Sequence, residues 1–170
     1  EVTDAAAREL GLRSGVPVSY RAGDQPNNAF SLNVLEPGAI AAAAGTSGVI
    51  YGVSSTIRPD RQSRVNTFLH INHERTKPRY GTLLCINGTG ILNSWARKIC
   101  SGDKTLLSYD LMNSESASIP AGADGLFVLP YGNGAERSLG NEAPGASFHN
   151  LSVTRHKRAH IFRAAQEGIV

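Results

Sequence analysis

The sequence has little that would cross-link it, hold a metal cluster or enter a membrane. Two cysteines, Cys85 and Cys100, among 170 residues are too few for a disulfide framework, and they lack the paired spacing of a zinc site. Both stand in apolar contexts, as free buried thiols of a reducing compartment do. No apolar run approaches the roughly 18 residues of a membrane span, and no basic-then-apolar leader opens the chain. Charge of one sign is scarce too: 17 Lys and Arg against 14 Asp and Glu leave a net charge of +3. Such mild, scattered basicity suits an anionic small molecule as well as nucleic acid. Asn87-Gly88-Thr89 and Asn150-Leu151-Ser152 fit the glycosylation sequon, but without a leader they read as chance matches. The expectation is a cytoplasmic protein without nucleic-acid or membrane partners.

What is present is an ordinary globular composition, 41% hydrophobic and 18% charged, able to bury a core. The chain begins at Glu1 and stops inside a helical pattern, which suggests a piece of a longer protein. Residues 3–11 read as a helix capped by Thr3 and stopped by Gly11. A short strand is expected at 16–20 and a helix over 27–35, with Ala29, Phe30 and Val34 on one side. Glu36-Pro37-Gly38 breaks that helix. Strands then follow at 40–44, 49–54, 65–73 and 80–87, a series that suggests an antiparallel meander. Helices are predicted from Gly90 and over 104–117, the latter capped near Ser108. An apolar strand follows at 125–131 and a Gly/Pro/Asn-rich loop at 132–146. A last helix is capped by Thr154 and buries Ile161, Phe162, Ala165 and Ile169.

Two short stretches can carry chemistry. Asp24, in Gly23-Asp24-Gln25-Pro26, sits on a turn that leads into a helix. A carboxylate there can take a proton from a hydroxyl, and Gln25 can donate to neighbouring hydroxyls. The plainer reading makes Asp24 a helix N-cap. Gly45-Thr46-Ser47-Gly48 offers hydroxyls and unobstructed N–H groups, the equipment for phosphate oxygens, or else it is simply a hairpin turn. Together, an acid and a phosphate turn are the minimum for phosphoryl transfer.

The remaining candidates are weaker. His70 and His73, three apart on a predicted strand, point to opposite faces. His156 and His160 have helical ligand spacing, but Arg155, Lys157 and Arg158 surround them, so a solvated helix face is expected. Glu136-Arg137 reads as a structural ion pair or loop anchor.

Five segments, in order, resemble the FGGY carbohydrate kinases, with xylulokinases the most similar members. They are "AGDQPNNA", "AGTSGVIYG", "INGTGILNSW", "ADGLFVLPYGNGAER" and "FHNLSVTRHKRAHIFRAAQEG". Asn150 and Gln166 depart from the usual signature, as does "NGAERSLGNEAPGA", and none of these touches Asp24 or 45–48. The resemblance implies an α/β, actin-like (ribonuclease H-like) ATPase fold. Residues 1–37 would close a first domain and 38–170 would open a second. It implies ATP and Mg²⁺ in the cleft between the domains. Asp24 would be the base acting on the sugar hydroxyl and Gln25 a sugar contact. Gly45, Thr46 and Ser47 would hold phosphates, with Gly90 and Ser94 near the nucleotide, and no residue here is assigned to the metal. The implied activity is transfer of the γ-phosphoryl to a ketopentose, D-xylulose foremost. Alternatives are a sibling kinase for ribulose, gluconate or glycerol, or a binding module that lost its chemistry. The resemblance leaves room for a homodimer, and it implies that these 170 residues alone are inactive.

Overall fold

In the computed structural model, which describes residues 1–18, 22–102 and 105–170, a short helix opens the chain. This is α1, Asp4–Leu10. Thr3 Oγ1 accepts from the Ala6 N–H, and Gly11 ends the helix with φ 66°, a left-handed angle that glycine adopts without strain. Residues 16–18 form no strand; the Val16 carbonyl only accepts from the Val2 N–H. Residues 19 and 20 of that expected strand lie outside the described residues.

Helix α2 spans Asp24–Ser31, three residues ahead of the expected 27–35. Extended Gly23 precedes it, and Pro26 fits the first turn because the N–H it lacks has no partner there. The helix stops because Asn33 turns left-handed, with φ 57°. Ala29 and Val34 are buried as expected; Phe30 is 48% exposed.

The strands β1 (Ile40–Ala44), β2 (Gly48–Ser54), β3 (Asn66–Leu69) and β4 (Tyr80–Ile86) form one antiparallel sheet in the order β1-β2-β4-β3. The meander expectation is therefore wrong in one step: β4 lies between β2 and β3. The reason is length, since β2 and β4 pair over seven register positions and β3 offers β4 only four. Residues 70–73 leave the strand in a turn, with the His73 N–H donating to the His70 carbonyl. Beneath the sheet, Tyr51 and Val53 pack with Ala41 and with Ala29 and Val34. Gly81 is obligatory here, because a Cβ would come within 1.8 Å of the Tyr51 hydroxyl. β1 pairs with β2 on one side; among the described residues its other edge has no strand beside it.

A second layer follows. Helix α3 runs Thr89–Ile99 and α4 runs Tyr109–Ala117 with Ser108 as its cap, so the predicted helix 104–117 starts late. β5 (Phe127–Tyr131) pairs antiparallel with β6 (Gly145–His149). β6 lies at the end of the stretch read as loop, which also contains a 3-10 turn at Glu136–Leu139. Helix α5 spans Arg158–Ile169 and is capped by Lys157, not by Thr154, which sits in the preceding turn. Its Phe162 is fully buried with Met112, Leu126 and Ala165. Burying a side chain of that size contributes about 1.5–3 kcal/mol. His160 is no solvated residue. It is 8% exposed, its Nδ1 accepts from the Lys157 N–H at 3.1 Å, and its Nε2 faces Asp124 Oδ2 at 3.0 Å.

Candidate functional site

The turn between β1 and β2 is docked on the start of α3. The Gly90 N–H donates to the Gly45 carbonyl at 3.0 Å, and the Ile91 N–H to the Thr46 carbonyl at 3.3 Å. Thr89 Oγ1 lies 3.3 Å from both carbonyls. Helix N–H groups that lack intrahelical partners are thus satisfied by the turn. The fit depends on missing side chains. A Cβ on Gly90 would lie 2.1 Å from the Gly45 carbonyl oxygen, and one on Gly48 would lie 2.6 Å from the Thr89 methyl. On the other side of the connection, a Cβ on Gly88 would lie 1.3 Å from the Pro130 carbonyl oxygen.

Peptide planarity turns this docking into polarity. A trans peptide points its C=O and N–H in opposite directions. With the Gly45 and Thr46 carbonyls aimed at α3, the N–H groups of Thr46 and Ser47 face away from it. Thr46 is exposed and Ser47 half-buried. Two successive outward N–H groups beside a hydroxyl form a concavity suited to an anion. The Ser47 hydroxyl points elsewhere, donating to Asn87 Oδ1 at 3.2 Å. Ser94 is half-buried on α3, one turn beyond Gly90.

Asp24 is not the cap of α2 but its first residue; Gly23 holds the cap position and makes no side-chain bond. Among the described residues the exposed carboxylate accepts only from the adjacent Gln25 N–H, at 2.8 Å, which leaves most of its acceptor capacity unused by them. Helix α2 packs across β1 and β2. Gln25 shares a small cavity with Ala43 and Val49, a register pair next to the Ala44–Gly48 pair that closes the hairpin. The start of α2 and the phosphate-type turn therefore belong to one end of the sheet.

Other predicted features resolve differently. Among the described residues Glu136 and Arg137 form no ion pair; Glu136 turns toward Cys85, whose thiol is pushed up first by burial and then by that carboxylate. Both cysteines are free and half-buried. His70 donates to or accepts from the Tyr51 hydroxyl at 2.9 Å in the core, and His73 packs on Tyr80. Asn87 and Thr89 were missed as site residues. Their signal lay in Asn-Gly-Thr, which reads as a chance sequon until the fold brings it to the 45–48 turn.

No protein-family model matches the chain. It is 28% identical over 171 residues to a gluconokinase of Bacillus licheniformis, covering 96% of this chain. It is 29% identical over 177 residues to an autoinducer-2 kinase of Yersinia enterocolitica, covering 98%. The structure superposes on a xylulose kinase from Rhodospirillum rubrum with a TM-score of 0.78, at 29% identity and over 98% of the chain. Its homologues are carbohydrate kinases of the FGGY family. The fold is the actin-like ATPase fold of those kinases. The chain spans about a third of the relatives it matches, 32% in each case.

Proposed function

We propose that the protein containing this chain is an ATP-dependent carbohydrate kinase that phosphorylates a hydroxyl of a ketopentose, D-xylulose foremost. The observation that carries this reading is the 45–47 turn, whose Thr46 and Ser47 N–H groups are turned outward by its seat on α3, at the same sheet end as the exposed Asp24. Bound Mg-ATP would supply the electrophilic γ-phosphorus. The turn's N–H groups and the Thr46 hydroxyl fit terminal phosphate oxygens, and they need no rearrangement to meet charge developing there. Gly90 lets the turn approach α3, and Ser94 lies on the face of α3 that continues from it. Asp24 accepts the proton of the sugar hydroxyl while Gln25 orients the sugar. Among the described residues no group of three His, Cys, Asp or Glu could cage a metal. Mg²⁺ commonly keeps its waters and binds through phosphates and one or two carboxylates, so no such cage is required of this chain.

The relatives' names also favour a sibling reading, in which the acceptor is gluconate or another polyol. One assay separates these. ADP release by the full-length protein is measured with Mg-ATP across xylulose, ribulose, gluconate and glycerol, with Asp24→Ala alongside. The expected result is turnover of xylulose that falls by about 10²–10⁴ in the variant, with sugar affinity changed far less. Turnover of another acceptor keeps the mechanism and changes the substrate. A folded protein that binds ATP and phosphorylates none of them overturns the kinase reading.

A further inference from the structure

Asn87 lies one residue beyond β4 and two ahead of α3. It is half-buried, and three segments meet on it. Its Oδ1 accepts from Ser47 Oγ at 3.2 Å and lies 4.0 Å from the Cys85 sulfur. Its backbone carbonyl accepts from Asn133 Nδ2 at 3.5 Å. The same loop carries Glu136, whose φ of 45° is a left-handed angle that a residue with a side chain rarely adopts. That turn packs against β4 and brings the Glu136 carboxylate near Cys85, where it adds to burial in raising the thiol. Strain of this kind persists only where surrounding contacts hold it.

A serine hydroxyl has one proton to give. Here it goes inward, to Asn87. A phosphate oxygen arriving at the turn would meet the Thr46 hydroxyl and the N–H groups of Thr46 and Ser47, not the Ser47 proton. We propose that Asn87 is a positioning residue of the phosphoryl-transfer site: it holds the Ser47 hydroxyl inward, fixes the outward donor set of the turn, and joins that turn to the 133–136 loop. This rests on the kinase reading above. Asn87 acts through Ser47 and does not touch the nucleotide.

The test is a double-mutant cycle in the full-length kinase, with Asn87→Ala, Ser47→Ala and the double variant. KM for ATP and kcat are measured at saturating sugar, with melting temperature as a control. One uncharged hydrogen bond corresponds to a 2- to 13-fold effect, or about 0.5–1.5 kcal/mol. Each single variant is expected to raise KM for ATP by about 3- to 10-fold, with kcat within about threefold of the parent. The double variant should be no worse than either single one. Asn133→Ala should move KM in the same direction by less. If Asn87→Ala does not fold, Asn87→Ser takes its place in the cycle. An active parent whose two single effects multiply overturns the role of Asn87 alone. So does a fall in melting temperature without a change in KM. A parent inactive on every sugar overturns the kinase reading and this inference with it.

Discussion

Tyr51 and His70 share one buried hydrogen bond and respond to pH in opposite ways. Burial pushes the Tyr51 phenol up to about 12, from an ordinary value of 10. Burial holds His70 below its ordinary 6.5; the Val34 carbonyl opposes this and the Arg79 charge adds to it. Protons bound in the folded and unfolded states set the sign. Below pH 6.5 the unfolded chain takes up a His70 proton that the fold resists, so stability falls as the pH drops. Between pH 10 and 12 the unfolded chain releases a Tyr51 proton that the fold keeps, so stability falls as the pH rises. Urea midpoints across this range should fall at both ends. Tyr51→Phe should remove the alkaline fall and keep the acid one. At pH 7 it should cost about 1–3 kcal/mol, because His70 Nδ1 is left unpartnered in the core.

Among the elements, α5 depends on His160 twice. The ring caps the helix through the Lys157 N–H and grips Asp124, which is held at a left-handed φ of 53°. Arg155 and His156 also reach the Asp124 carbonyl, each at 3.3 Å. His160→Ala should therefore cost about 1–3 kcal/mol by chemical denaturation. Asp124→Asn should cost less than Asp124→Ala, because asparagine tolerates the left-handed angle and can still accept the hydrogen bond. Equal losses in the two Asp124 variants would refute this account. The same helix shows what could be read in the sequence. The apolar spacing of Ile161, Phe162, Ala165 and Ile169 gives its buried side, but its cap is misread, because Thr154 is a favoured N-cap by residue type whereas Lys157, with no acceptor of its own, holds the cap position through the His160 ring. Local signals placed α1 and the β1–β2 hairpin to within a residue. They misordered β3 and β4, since nothing local says which of two antiparallel strands is the better partner of β2. At the site, Asp24 and Gly45–Ser47 were legible as residue types. Their geometry was not, because it comes from peptides docked on α3, some 45 residues further along.

On the scale of the whole molecule the described residues form two cores. One lies under the sheet around Tyr51, and the other lies among α3, α4, α5 and β5 around Phe162 and Met112. The 45–47 turn, seated on α3, is where the two layers meet. Among the described residues the sheet ends at β1, Ile40-Ala-Ala-Ala-Ala44, which is exposed at every position except Ala41, with Ile40 65% and its neighbour on β2, Ile50, 47% exposed. Such a strand carries none of the charges or prolines by which natural edges discourage further pairing. For anyone handling the 170 residues by themselves, that rim is a template. At rising concentration the isolated chain should self-associate in light scattering, and Ala42→Lys should suppress this while leaving the circular dichroism unchanged. A parent chain that stays monomeric at millimolar concentration would show the rim to be harmless. The small side chains that let α2 pack close across this strand are also what leave its open edge undefended.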